Sequence, residues 1–184
     1  MALLESKPPQ TGSKMPDFAL NDVDGKNHTS GDFQGKNGLV VMFLCGHCPY
    51  VLAVEDRLTE LARQFQPEGI AFVAICSNDP EQNDADKPEA IKQWAENKQH
   101  PFPWLIDDTQ EVARKFDAVC TPDIFVYDSN FQLFYHGRID DRPKDASAAK
   151  KHDLQTALSN LLKGSQPPAD QIPSMGCSIK WKDQ

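Results

Sequence analysis

Cys45 and Cys48, separated by Gly46 and His47, are the residues of this chain best spaced for chemistry. Two thiols at that spacing can form and break a mutual disulfide, or share a metal ion. They follow an apolar run, Leu39–Leu44, and precede a helical pattern opening at Pro49, with Val51, Val54, Leu58, Leu61 and Phe65 three and four residues apart. A helix N-terminus carries unpaired N–H groups and partial positive charge, which favours a thiolate. On this reading Cys45 is the nucleophile. Cys48, in the first turn, resolves a mixed disulfide formed on Cys45, and an imidazolium at His47 stabilises the Cys45 thiolate.

The chain has five cysteines, the others being Cys76, Cys120 and Cys177. A structural zinc site wants a second CxxC or CxxH pair, and the sequence has none. Redox use is therefore favoured, with no metal and no cofactor expected. Cys76 ends an apolar run and reads as a small buried hydrophobe. Asp22 and Asp24 with Gly25 echo a calcium loop, but Phe33 stands where the distal Glu is needed, so they read as a turn. Asp79, Glu81, Asp84 and Asp86 read as a solvated loop. The net charge of −8 argues against nucleic-acid or anionic-membrane partners. No stretch approaches the roughly 20 apolar residues of a membrane span. The first residues lack the apolar core of a secretory signal, so a cytoplasmic protein is expected.

The elements that position these thiols follow from pattern. Residues 1–11 read as an extended arm, and Asp24-Gly25 as the turn of a hairpin. Leu39–Leu44 and Ile70–Ile75 read as buried strands, with one helix between them from Pro49 to about Gln66. Pro88 starts a helix, Trp104–Ile106 is a short strand, and Asp108 with Glu111 has capping-box spacing for another helix. Ile124–Tyr127 and Leu133–His136 read as paired strands. Leu154, Ala157, Leu158, Leu161 and Leu162 mark a last helix stopping at Gly164. This order predicts an α/β layered domain over residues 12–163 and a proline-containing tail over 164–184.

Strand-CxxC-helix, the Thr121-Pro122 dipeptide and the closing strand pair with its helix together resemble the thioredoxin fold, here with an N-terminal hairpin and an inserted helix–strand segment. The resemblance implies a cis Pro122 beside the CxxC and a Thr121 backbone free to pair with an incoming peptide. Pro16-Asp17-Phe18-Ala19-Leu20 with Asp22, Asp24-Gly25 and Lys26 is similar to the start of the AhpC/TSA and TlpA/ResA redoxins. Cys-x-His-Cys-Pro-Tyr and the Cys-Ser-Ile-Lys-Trp tail narrow this to one bacterial redoxin type. It implies a thiol–disulfide oxidoreductase acting on protein or small-molecule disulfides. A thiol reductant of the thioredoxin or glutathione system is the implied partner, with a homodimer left open. Cys-Gly-His-Cys resembles the motif of disulfide isomerases, which implies a poise less reducing than thioredoxin's.

The chain also departs from thioredoxins. Leu44 and Leu39 stand where those proteins carry a Trp and a buried acid, so no proton acceptor is assigned; Glu55 and Asp56 read as solvated helix charges. A peroxiredoxin-like peroxidase is the main alternative, but Pro-x-x-x-Thr-x-x-Cys fits neither thiol: Val41 and Cys45 fall in its slots for Cys48, Gly38 and Met42 for Cys45. A Sco-like copper protein is the lesser one, and His136 reads as a surface residue rather than its distant ligand.

Cys120 should lie beside the CxxC through Thr121-Pro122 and is a candidate additional thiol. In the tail, Cys177, Ile179 and Trp181 alternate with Ser178 and Lys180, the period of a strand with one apolar face. Such a face is expected to dock on the domain or on a partner subunit. Docking could bring Cys177 to the CxxC as a third thiol.

Overall fold

Six consecutive apolar residues suit a strand covered on both faces, and β4 (Gly38–Phe43) is buried along its whole length at the centre of the molecule. In the computed structural model, which describes residues 2–34, 36–144 and 149–182, β4 pairs in parallel with β5 (Ile70–Cys76) and antiparallel with β8 (Asp123–Asp128). The ends of the expected arm and tail, Met1 and residues 183–184, lie outside the described residues. The hairpin β2 (Ala19–Asp22) and β3 (Asn27–Thr29), the short β6 (Trp104–Ile106) and β9 (Leu133–His136) complete a seven-stranded sheet of order β3-β2-β6-β5-β4-β8-β9.

Alternation along β4 divides the core. Val40 and Met42 face α1 (Pro49–Leu52), α2 (Glu55–Phe65) and α5 (Asp153–Leu162); Leu39, Val41 and Phe43 face α4 (Glu111–Phe116). α3 (Pro88–Lys98) sends Ile91 into the first of these layers.

Four details differ from the sequence reading. The helix after the CxxC is two helices, separated where Val54 N–H donates to Val51 O at 3.0 Å and tightens the turn. The apolar stripe continues across the break, so Val51, Val54 and Leu58 still share one core layer. The N-terminal arm contains a strand, β1 (Leu3–Glu5). The start of α4 is capped by Asp107 rather than Asp108: its carboxylate accepts from Val112 N–H at 3.3 Å and Ala113 N–H at 2.9 Å. Finally, β7 (Cys120–Thr121) and a tail strand, β10 (Met175–Ser178), join β1 in a second sheet of order β1-β10-β7. That small sheet carries the tail across the C-terminal end of β4, where the CxxC begins.

Candidate active site

Cys45 follows β4 directly and Cys48 is the N-cap residue of α1, with Pro49 supplying the preset first helical turn. Both thiols are 0% exposed. The Thr121–Pro122 peptide is cis and lies against them. Thr121 touches both thiols: its Oγ1 shares a hydrogen bond with Cys45 Sγ at 3.2 Å, and its carbonyl accepts from Cys48 Sγ at 3.1 Å. Cys177, on β10, places its Sγ 2.8 Å from Cys48 Sγ. A hydrogen bond also joins Cys45 to Cys48, so Cys48 is the middle of three sulfurs.

This arrangement decides where negative charge is held. The Cys48 thiol is brought down to about 5, first by the hydrogen bond from Cys45 and then, against burial, by Cys177 and the backbone amides of Val51 and Cys177. Cys45 is pushed up, first because it donates to Cys48, then by burial and by the Asp86 carboxylate. Cys177 is pushed up to about 12, by burial first and then by its hydrogen bond with Cys48. Cys48 is thus lowered and Cys45 raised, while the hydrogen bond from Cys48 Sγ to the Thr121 carbonyl holds Cys48 in its protonated form. Cys48, not Cys45, is the residue at the helix N-terminus, and only Cys48 has a thiol on each side.

His47 has a partner that the spacing did not name. Its Nδ1 lies 2.7 Å from Asp86 Oδ2, so the ring is held by a carboxylate, with a ring nitrogen within 4.8 Å of Cys45 Sγ. Asp86 itself corrects the reading of its segment as a solvated loop. It is 2% exposed, and it accepts from Gly46 N–H at 2.8 Å and from Asn78 Nδ2 at 2.8 Å. Gly46 allows this approach, since a Cβ there would stand 2.2 Å from the Ala85 carbonyl oxygen. The only sequence signal for the contact is that glycine between the thiols. Asn78 continues the chain of contacts, its Oδ1 accepting from Lys180 N–H at 2.9 Å, which ties the CxxC loop to the tail. Cys45, His47 and Asp86 also present donor atoms within 4.8 Å of one another, a spacing a metal ion could use. Both Asp86 oxygens are already engaged by hydrogen bonds.

The other named residues fall outside this centre. Cys120 is buried on β7, but its thiol points to the Pro122 carbonyl at 3.8 Å, and burial pushes it up. Cys76 is buried and pushed up to about 12 by burial. Glu55 is buried rather than solvated, paired with Lys98 Nζ at 2.6 Å, whereas Asp56 is exposed. His136 is a buried residue, not a surface one: its Nε2 lies 2.7 Å from Asp123 Oδ1 and its ring stacks on Phe125 at 3.9 Å. Asp123, wholly buried after Pro122, requires such a partner.

The AhpC/TSA family model matches residues 11–136. A solved structure described as an uncharacterized conserved protein from Geobacillus kaustophilus is 43% identical, with a TM-score of 0.95, covering 100% of this chain and 98% of its own. Thiol-disulfide oxidoreductase ResA of Geobacillus thermodenitrificans is 28% identical over 119 residues, 65% of this chain and 64% of the relative. Chloroplastic peroxiredoxin Q of Gentiana triflora is 24% identical over 136 residues, 69% of this chain and 59% of the relative. The chain thus spans less than two thirds of the length of these two curated relatives. Further solved thioredoxin-like structures, at TM-scores of 0.60 to 0.65 and 17–20% identity, share the fold alone.

Proposed function

The chain belongs to the AhpC/TSA family, and on that premise we propose that it is a thiol–disulfide oxidoreductase whose working couple is Cys45 and Cys48. The observation that carries this reading is the position of Cys48 Sγ, held between two other thiols at a helix N-terminus and against the cis Thr121–Pro122 peptide. The thiolate on Cys48 attacks one sulfur of a substrate disulfide. A Cys48–substrate bond forms, the substrate S–S bond breaks, and the other half departs as a thiolate. Cys45 then attacks the Cys48 sulfur, its proton passing to the second departing thiolate. The product is a Cys45–Cys48 disulfide, and two electrons have moved to the substrate. A thiol reductant of the thioredoxin or glutathione type returns the couple to its starting state.

This reading takes the roles in the reverse of the order that spacing suggested, supported by the lowered Cys48 thiol; trapping of a mixed disulfide on Cys48 in Cys45→Ser, against trapping on Cys45 in Cys48→Ser, decides between the two orders. Relatedness to ResA supports the reading. Peroxidase activity has support in the peroxiredoxin relative and in a low-lying thiolate. Against it, Cys45 occupies the place of the threonine that would orient a peroxide. Parallel turnover assays decide between them: the protein is expected to reduce a peptide disulfide readily and hydrogen peroxide at least about tenfold more slowly at equal concentration. Faster peroxide turnover, with sulfenic acid trapped on Cys48, would replace this reading with the peroxidase one.

A further inference from the structure

The edge of β7 is already taken. Cys177 pairs with Thr121 and Ser178 with Cys120 in antiparallel register, and Ile179 N–H donates to Val119 O at 3.0 Å. The backbone of the residue before the cis proline, where a substrate peptide would add as a strand, is thus occupied by a strand of the same chain. That strand carries a cysteine at the position facing the couple, 2.8 Å from Cys48 Sγ. The residue before it is fixed as glycine: a Cβ on Gly176 would stand 1.9 Å from the Thr121 carbonyl oxygen. Backbone, not a movable side chain, sets that limit. With the tail in place both thiols of the couple are shut from solvent.

We propose that the tail is a tethered substrate: Cys177 exchanges disulfides with Cys48, and the external partner is an extended peptide segment that presents Gly-Cys to the same edge. This rests on the thiol–disulfide reading and names its substrate class. From the oxidised couple, Cys177 attacks the Cys48 sulfur. The Cys48–Cys177 bond forms, the Cys45–Cys48 bond breaks, and Cys45 leaves as a thiolate that takes the proton Cys177 gives up. No electrons are gained or lost; the disulfide moves from the loop to the tail, and tethering makes the exchange intramolecular. A reductant or partner thiol then attacks Cys177, and an external Gly-Cys strand takes the edge when the tail leaves it.

Peptide mapping of the full chain after glutathione disulfide treatment tests the exchange. In Cys45→Ser the expected product is a Cys48–Cys177 disulfide. With Gly176→Ala added, Cys48 should instead carry glutathione and Cys177 should remain alkylatable. Gly176→Ala alone should still form Cys45–Cys48, which shows that the domain is folded. Glutathione remaining on Cys48 in Cys45→Ser, with Cys177 free, would overturn the exchange. For the partner class, full-chain Cys177→Ser with Gly176→Ala, whose tail no longer seats on β7, is given two synthetic peptides as glutathione mixed disulfides, one with Gly and one with Ala before the cysteine. The Gly peptide should be reduced about tenfold faster; equal rates would overturn the Gly-Cys assignment. Failure of the wild-type chain to form any Cys45–Cys48 disulfide would instead remove the underlying reading.

Discussion

Cys48 and Cys45 lie in one short loop, yet their neighbours give them opposite chemistry. Two thiols converge on Cys48, while Cys45 faces the carboxylate of Asp86 and donates a hydrogen bond to Cys48. A thiol lowered to about 5 is ionised at and above neutral pH and protonated only as the pH falls through that value. Titration of thiolate ultraviolet absorbance should therefore show a step near pH 5 in wild type, a step moved upward in Cys45→Ser, which loses the thiol donor that lowers Cys48 most, and none below about pH 8 in Cys48→Ser. The reverse, with the step lost in Cys45→Ser alone, would return the thiolate to Cys45. The two thiols and Thr121-Pro122 were legible in the sequence because their spacing is local. The third sulfur was not, because Cys177 reaches Cys48 from 129 residues away. Asp86 was missed for the same reason: among the acids of its loop, nothing local distinguishes the one that meets Gly46 N–H and the His47 ring.

At the scale of elements, strands and helices followed their patterns closely where both faces of the sheet are covered. They followed less closely where a single residue sets a boundary, as at Val54 or Asp107. The tail is the most informative element. Its alternation of Cys177, Ile179 and Trp181 marked a strand with an apolar face, but no local pattern in the sequence names β7 and β1 as its two neighbours. In the structure Cys177 and Ile179 are buried, and Trp181 lies under the Arg114 guanidinium at 4.8 Å. Ile179 is 3% exposed in the core layer of Phe116 and Phe125, so Ile179→Ala is expected to lower unfolding free energy by about 2–5 kcal/mol. Denaturant unfolding measures this. A loss well under 1 kcal/mol would mean that the tail spends most of its time undocked.

The whole molecule is a thioredoxin-fold sheet with a second, three-stranded sheet closed over its reactive end. The two are joined by the Thr121–Pro122 peptide and by the contacts that run from Asp86 through Asn78 to Lys180. Both the exchange with substrate and the exchange with the tail require Cys45 and Cys48 to act as one reversible couple. The most direct test is equilibration of the full chain with glutathione buffers of graded redox poise, followed by acid quench and thiol mapping. The expected result is one two-electron transition in which Cys45 and Cys48 are lost and regained together, retained in Cys177→Ser. Independent titration of the two thiols as separate glutathione adducts, with no Cys45–Cys48 disulfide at any poise, would contradict it.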